Sequence, residues 1–117
     1  MSAWDIEIFA EDVNIDFLDE LADLEEEDIV EAVRDACLLA ADPDAATDDE
    51  VLNGQAAATI AAIWAGAPFA AGDVAEDYPF IRGFAGDVDE TLLQAAAQVL
   101  ESVDTEHDID QFVEALA

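Results

Sequence analysis

Few side chains in this sequence have the chemistry of a catalyst. Its serines, histidine and cysteine are Ser2, Ser102, His107 and Cys37. Ser102 and His107 are close enough in sequence to be weighed as a nucleophile and its base. The Gly-rich strand-to-helix turn that exposes a nucleophile is missing around them. Cys37 stands between Ala36 and Leu38 on the apolar face of an expected helix, where a thiol is a small hydrophobe with a raised pKa. Carboxylates are abundant instead. With 31 Asp and Glu, some pair falls at any separation one names, so a glycosidase-like spacing carries no information. No catalytic residue is expected, and the chain reads as a non-enzyme.

Oxygen ligands for a cation deserve a stricter test. A calcium loop needs carboxylates at positions 1, 3 and 5, Gly at 6 and Glu at 12. From Asp42 the register gives Ala46, Thr47 and Asn53 at positions 5, 6 and 12. From Asp104 it gives Ile109 in place of the Gly and Ala115 in place of the Glu. Neither is an EF-hand. His107 with Asp104 or Asp108 is a weak transition-metal candidate, better read as a solvated helix start. Phosphate-cradling Gly loops are absent, and an anion site would work against the field of the whole chain. No cofactor and no resident metal are expected.

That field is the dominant feature. Against 31 acids stand Arg34 and Arg82 with no Lys, a net charge of -29. Direct binding to nucleic acid or to an anionic membrane is thereby excluded. Since 54% of the residues are apolar, the chain is no disordered acidic tail, and its 117 residues make one domain. The N-terminus has no basic, apolar leader pattern, so a cytoplasmic protein is expected, monomeric or homodimeric.

The elements that must carry these charges read as helices. Residues 1–10 alternate apolar and acidic, with Trp4, Ile6 and Ile8 against Asp5 and Glu7, which predicts an extended arm. A helix over about 12–24 places Val13, Phe17, Leu21 and Leu24 on one face. The acidic hinge Glu25-Glu26-Glu27-Asp28 leads into a helix over about 27–41, striped by Ile29, Val33, Ala36, Cys37 and Ala40, with Val30 and Leu38 beside them. Thr47 to Glu50 is a capping box opening a helix over about 47–66, closed by Gly66 and Pro68. That helix is uncharged beyond Glu50 and mostly Ala, too interrupted by polar residues, Gly and Pro to span a membrane. Residues 69–86 read as an irregular segment pinned by Tyr78-Pro79-Phe80-Ile81. Asp87 to Glu90 opens a helix over about 88–103, and a short one follows over about 107–116. The expected fold is all-α, a compact bundle of four to five short helices with an extended N-terminal arm, its Ala-thin helices separated by Trp and Phe rings.

Certain residues also resemble a family. Trp4, Phe9, Asp12, Asp16, Phe17, Leu18 and Leu21 are similar to the N-terminal motif of a bacterial family known only as domain-of-unknown-function family 4259. The run Ala58-Thr59-Ile60-Ala61-Ala62 before Gly66 and Pro68 resembles its central helix, and Ile109, Phe112 and Val113 its closing segment. The family usually has Gly-rich chain where Asp5 to Ile8 stand here, a Glu at the position of Thr59 and a Ser at that of His107. The resemblance implies a compact helical domain and supplies no activity, substrate or cofactor. It marks Trp4 and Phe9 as staples of the arm, with Asp12 or Asp16 capping or tethering it.

The expected surface for a partner is the acidic set Asp12, Asp16, Asp19, Glu20, Asp23, Glu25, Glu26, Glu27 and Asp28. Spread over roughly 6,000 Å², 29 net charges give about one per 200 Å², half the density of B-DNA at about one per 100 Å². A DNA mimic would therefore have to concentrate its carboxylates on one face. Three functions stay open. One is a protein-interaction module for a basic partner, and one is a DNA-mimic inhibitor of a nucleic-acid-binding protein. The third is a structural protein whose acidity reflects a high-salt habitat, where screening cancels self-repulsion.

Overall fold

Residues 51–66 carry no charged side chain, and in the computed structural model they run through the middle of the molecule. The structure describes residues 4–42, 44, 46–67, 72–83, 89–103 and 109–116. Their helices are α1 (Trp4–Ala10), α2 (Asp12–Ala22), α3 (Glu26–Ala40), α4 (Asp48–Trp64), α5 (Gly72–Asp77), α6 (Phe80–Gly83), α7 (Glu90–Glu101) and α8 (Asp110–Leu116). No strand occurs among the described residues, so the fold is all-α.

α4 is the hub. Gly54 and every residue from Ala56 to Trp64 are buried, so the helix has no polar face for half its length. A helix apolar all round must be covered on all sides. α3 and α7 supply most of that cover, with α1, α2, α6 and α8 completing it. The capping box starts α4 as expected: Glu50 N–H donates to Thr47 Oγ1 at 3.2 Å, and Thr47 N–H to Glu50 Oε1 at 3.0 Å. Gly66, at φ +111°, ends it in the left-handed region that favours glycine. Gly54 has a different role: a Cβ there would collide with the Cβ of Ala40 and lie 2.9 Å from the Ala36 carbonyl oxygen. The missing side chain is what lets α3 lie against α4.

Several expectations change. The N-terminal arm is a helix from Trp4 onward rather than extended chain. Trp4, Asp5, Ile8 and Phe9 are buried together, while Ile6 is 40% exposed. The i, i+1, i+4, i+5 repeat of one helical face was masked by the chance alternation at 4, 6 and 8. The buried face of α2 is Asn14, Leu18 and Leu21, which turns Val13 and Phe17 to its edge and leaves Leu24 40% exposed. On α3, Leu38 faces outward at 46% exposure.

The region expected to be irregular contains α5 and α6, and it is pinned as foreseen. Phe80 and Ile81 are buried, and the indole N–H of Trp64 donates to the Phe80 carbonyl at 3.1 Å. The other expected helices are present as α7 and α8. Asp89 caps α7, its Oδ1 accepting the Leu92 N–H at 2.7 Å. Pro68, Phe69, Phe84, Asp87, Asp104, His107 and Asp108 lie outside the described residues.

Candidate functional site

The acidic surface is built on the outward side of α2 and the first half of α3. Once Asn14, Leu18 and Leu21 are committed to the core, helical geometry leaves Glu11, Asp12, Asp16, Asp19, Glu20 and Asp23 outside, and all six are exposed. Asp12, Asp16, Asp19 and Asp23 form one ridge at i, i+4, i+7 and i+11. The hinge residues Glu25, Glu26, Glu27 and Asp28 are exposed as well, and Asp28, Glu31 and Asp35 continue as a second ridge along α3. Of these acids, Asp12 on α2 and Glu26, Glu27 and Asp28 on α3 stand in the first turns of their helices, where the dipole favours them, whereas Asp23 is the C-cap of α2, where it does not.

Neither Asp12 nor Asp16 performs the capping expected of it. Glu11 occupies the cap position of α2 in extended conformation, and its side chain makes no capping bond. The tether between the first two helices is Asn14, whose Nδ2 donates to the Ile8 carbonyl at 2.7 Å. Trp4 and Phe9 sit where the stapling role requires, both buried, with Trp4 Nε1 donating to Thr59 Oγ1 at 2.9 Å. The Thr59 hydroxyl passes its own proton to the Gln55 carbonyl at 2.8 Å.

Two polar contacts tie the acidic surface to the remainder of the bundle. The Tyr78 hydroxyl donates to Asp19 Oδ1, and that bond, with partial burial and the charges of Asp19 and Asp77, pushes the phenol up to about 12. Arg34 on α3 reaches Asp89 Oδ2 at 2.9 Å. The Leu92 N–H holds the Asp89 carboxyl below the usual carboxylate range, and Arg34 adds to the effect.

Two concavities accompany these features. Glu7, Ala10, Glu11 and Asp12 line a shallow notch of about 470 Å³ between α1 and α2. A second cleft, about 320 Å³, lies between the ends of α3 and α7 and the side of α4. Among the described residues no group of three His, Cys, Asp or Glu is placed to hold a metal ion. Burial pushes the Cys37 thiol far above its ordinary range, which leaves it unreactive.

The motif residues Trp4, Phe9, Phe17, Leu18 and Leu21 thus share one packed corner with the Ala-rich α4. A family model, the domain of unknown function DUF4259, matches residues 2–115 of the 117. The chain belongs to that family. No curated protein and no solved structure is similar enough to match it.

The DUF4259 match runs from α1 into α8, stopping one residue short of that helix's end at Leu116. Among the described residues of this DUF4259 chain, sequence reasoning missed three buried polar residues: Asp5, Asn14 and Thr59. Asn14 had a legible signal, since it continues the Leu18 and Leu21 face by one turn. Among the described residues of the DUF4259 fold, no helix is long and apolar enough to cross a membrane.

Proposed function

We propose that this protein is a non-catalytic, cytoplasmic interaction module that binds a basic protein through the α2–α3 face. The observation that supports it is the ridge of Asp12, Asp16, Asp19 and Asp23, extended by Glu25 to Asp28, every one of them exposed. Such a ridge steers a cationic partner and repels wrong ones. The test uses a ten-residue oligolysine peptide as probe. Neutralising Asp12, Asp16 and Asp23 (D12N/D16N/D23N, sparing the Asp19 that holds Tyr78) weakens its binding more than E76Q/E101Q/E114Q, which removes equal charge elsewhere. Equal weakening by the two variants would mean that net charge, not this face, draws the peptide.

One observation favours a second reading, the DNA mimic. From Glu11 to Asp23, α2 exposes six carboxylates over about 18 Å of helix axis, or about one per 3 Å. A single DNA strand carries one charge per ~3.4 Å. The molecular surface as a whole, 6325 Å² for 29 net charges, has only about one per 220 Å². The acids are therefore concentrated on α2 to the linear density of a nucleic-acid strand. Competition against duplex DNA for a non-specific DNA-binding protein checks this reading, with the D12N/D16N/D23N variant losing the competition.

The habitat account predicts something different. Under it, circular dichroism shows the chain unfolded at about 0.02 M KCl and folded only toward molar salt, where the Debye length shrinks to about 3 Å. Cooperative melting at low salt removes that account.

A further inference from the structure

The cleft between the ends of α3 and α7 is unlike the rest of the surface. Ala40, Ala41, Val51, Gln55, Gln98 and Ser102 line it, and none of these residues is charged. In a chain with 31 carboxylates, such a patch stands out by chemistry. Its floor is aliphatic, and its polar groups are two amides and a hydroxyl. Ser102 donates its proton to the Val99 carbonyl at 2.8 Å, so its remaining lone pairs can only accept. Each glutamine amide can turn its carbonyl oxygen inward.

The electrostatics point the same way. Ala41 is the C-cap of α3 and Ser102 the C-cap of α7, so the negative ends of two helix dipoles meet at the cleft. Neither helix has a basic residue in its last turn to offset that potential. Anions are repelled here by the net charge as well. A volume of about 320 Å³ is far larger than a bare ion needs, since one water occupies about 30 Å³ of liquid. The occupant is a molecule of several heavy atoms with a positive head. Because quaternary ammonium groups are held by aromatic cages, and no ring is among these lining residues, the head is one that donates hydrogen bonds.

We propose that this cleft is a binding site for a small primary alkylammonium. Its head is held by Gln55 on α4 and by Gln98 and Ser102 at the end of α7, and its short aliphatic tail lies on Ala40, Ala41 and Val51. The site is separate from the acidic face of α2, and its occupancy does not depend on that face having a partner.

The test titrates the full chain with n-butylammonium chloride, replacing KCl so that ionic strength stays constant, and follows the amide resonances by NMR. Saturable shifts at the Gln55 and Gln98 side chains are expected. Gln94, one turn away on α7 and bonded to Glu90 at 3.1 Å, serves as the internal control. Tetramethylammonium produces no saturable shift, and 1-butanol binds about tenfold more weakly for want of the charged hydrogen bonds. Gln98→Ala, at an exposed position that the fold does not need, also costs about tenfold. Ala41→Leu fills the floor and abolishes binding. Shifts that grow linearly and spread over the acidic helices would overturn the proposal, leaving counterion condensation. Equal binding of tetramethylammonium or butanol, or a Gln98→Ala variant that binds as well as the parent, would overturn it too.

Discussion

Trp4 and Thr59, 55 residues apart, are joined by a hydrogen bond of 2.9 Å from the indole nitrogen to the threonine hydroxyl, both side chains buried. The bond fixes α1 against the hub helix at a point where neither partner meets water. Thr59→Val keeps the shape and removes the acceptor, so a buried donor loses its bond at a cost of about 1–3 kcal/mol. Trp4→Phe costs less through hydrogen bonding, because the Thr59 hydroxyl keeps its bond to Gln55. Urea unfolding monitored by circular dichroism compares the two.

Gly54 tests the α3–α4 crossing. In an isolated helix Gly54→Ala gains up to about 1 kcal/mol. Here the new methyl strikes Ala40 and the Ala36 carbonyl, and overpacking of that kind costs about 1–3 kcal/mol. Net destabilisation is expected, with part of it recovered in the Gly54→Ala/Ala40→Gly double variant. A Gly54→Ala protein melting higher than the parent would show that the helices part easily.

Asp89 joins a helix cap to an ion pair, and the two are separable. Asp89→Ala loses the cap and about 1 kcal/mol, whereas Arg34→Ala removes only an exposed pair, worth between about 0 and 1 kcal/mol. The Asp89 carboxyl is held below its ordinary value of 3.8 in the folded state. Its contribution is therefore present above that value and is lost as pH falls through the lower folded value. Thermal melts between pH 5 and pH 2 should show a shallower acid decline for Asp89→Asn than for the parent.

Tyr78 gives an alkaline counterpart. The phenol, ordinarily at 10, is pushed up to about 12, chiefly by its bond to Asp19. The folded state thus favours the protonated ring. That stabilisation is complete below 10 and disappears as pH rises through 12. Tyr78 is the chain's one tyrosine, so absorbance near 295 nm reports it alone. Asp19→Asn should bring the midpoint down toward 10, and an unmoved midpoint would mean that burial rather than Asp19 sets it.

Where the sequence had a local chemical signal, structure followed it. Thr47 with Glu50, and Asp89 ahead of Leu92, start helices because their side chains satisfy backbone N–H groups within three residues, a relation visible in the residues themselves. The charge-free stretch of α4 beyond Glu50 was equally legible as the buried centre. Orientation was not always so. Short α1 carries too few turns to separate a helical repeat from alternation, and Leu24 and Leu38 follow apolar stripes yet face outward because their neighbours fill the interior first. The acidic ridge of α2 could be foreseen from composition, since solvated carboxylates take whatever face the core rejects. The α3–α7 cleft could not, because it joins residues from three helices that share no pattern.

The alanines of α4 have a thermodynamic consequence. Ala56, Ala57, Ala58, Ala61 and Ala62 are all fully buried. A methyl side chain has no rotamers to surrender, so ordering it costs essentially no side-chain entropy, against about 0.5–1 kcal/mol for a leucine or isoleucine. Each also removes little apolar area from water. The centre of the molecule is inexpensive to order and weakly rewarded for it. Cohesion falls instead on the large side chains packed with it, the rings of Trp4, Phe9, Trp64 and Phe112 together with aliphatics such as Leu18, Leu21, Leu92 and Leu100. Loss of any one of those rings takes a larger share of the folding free energy than it would in a leucine-filled bundle of the same size.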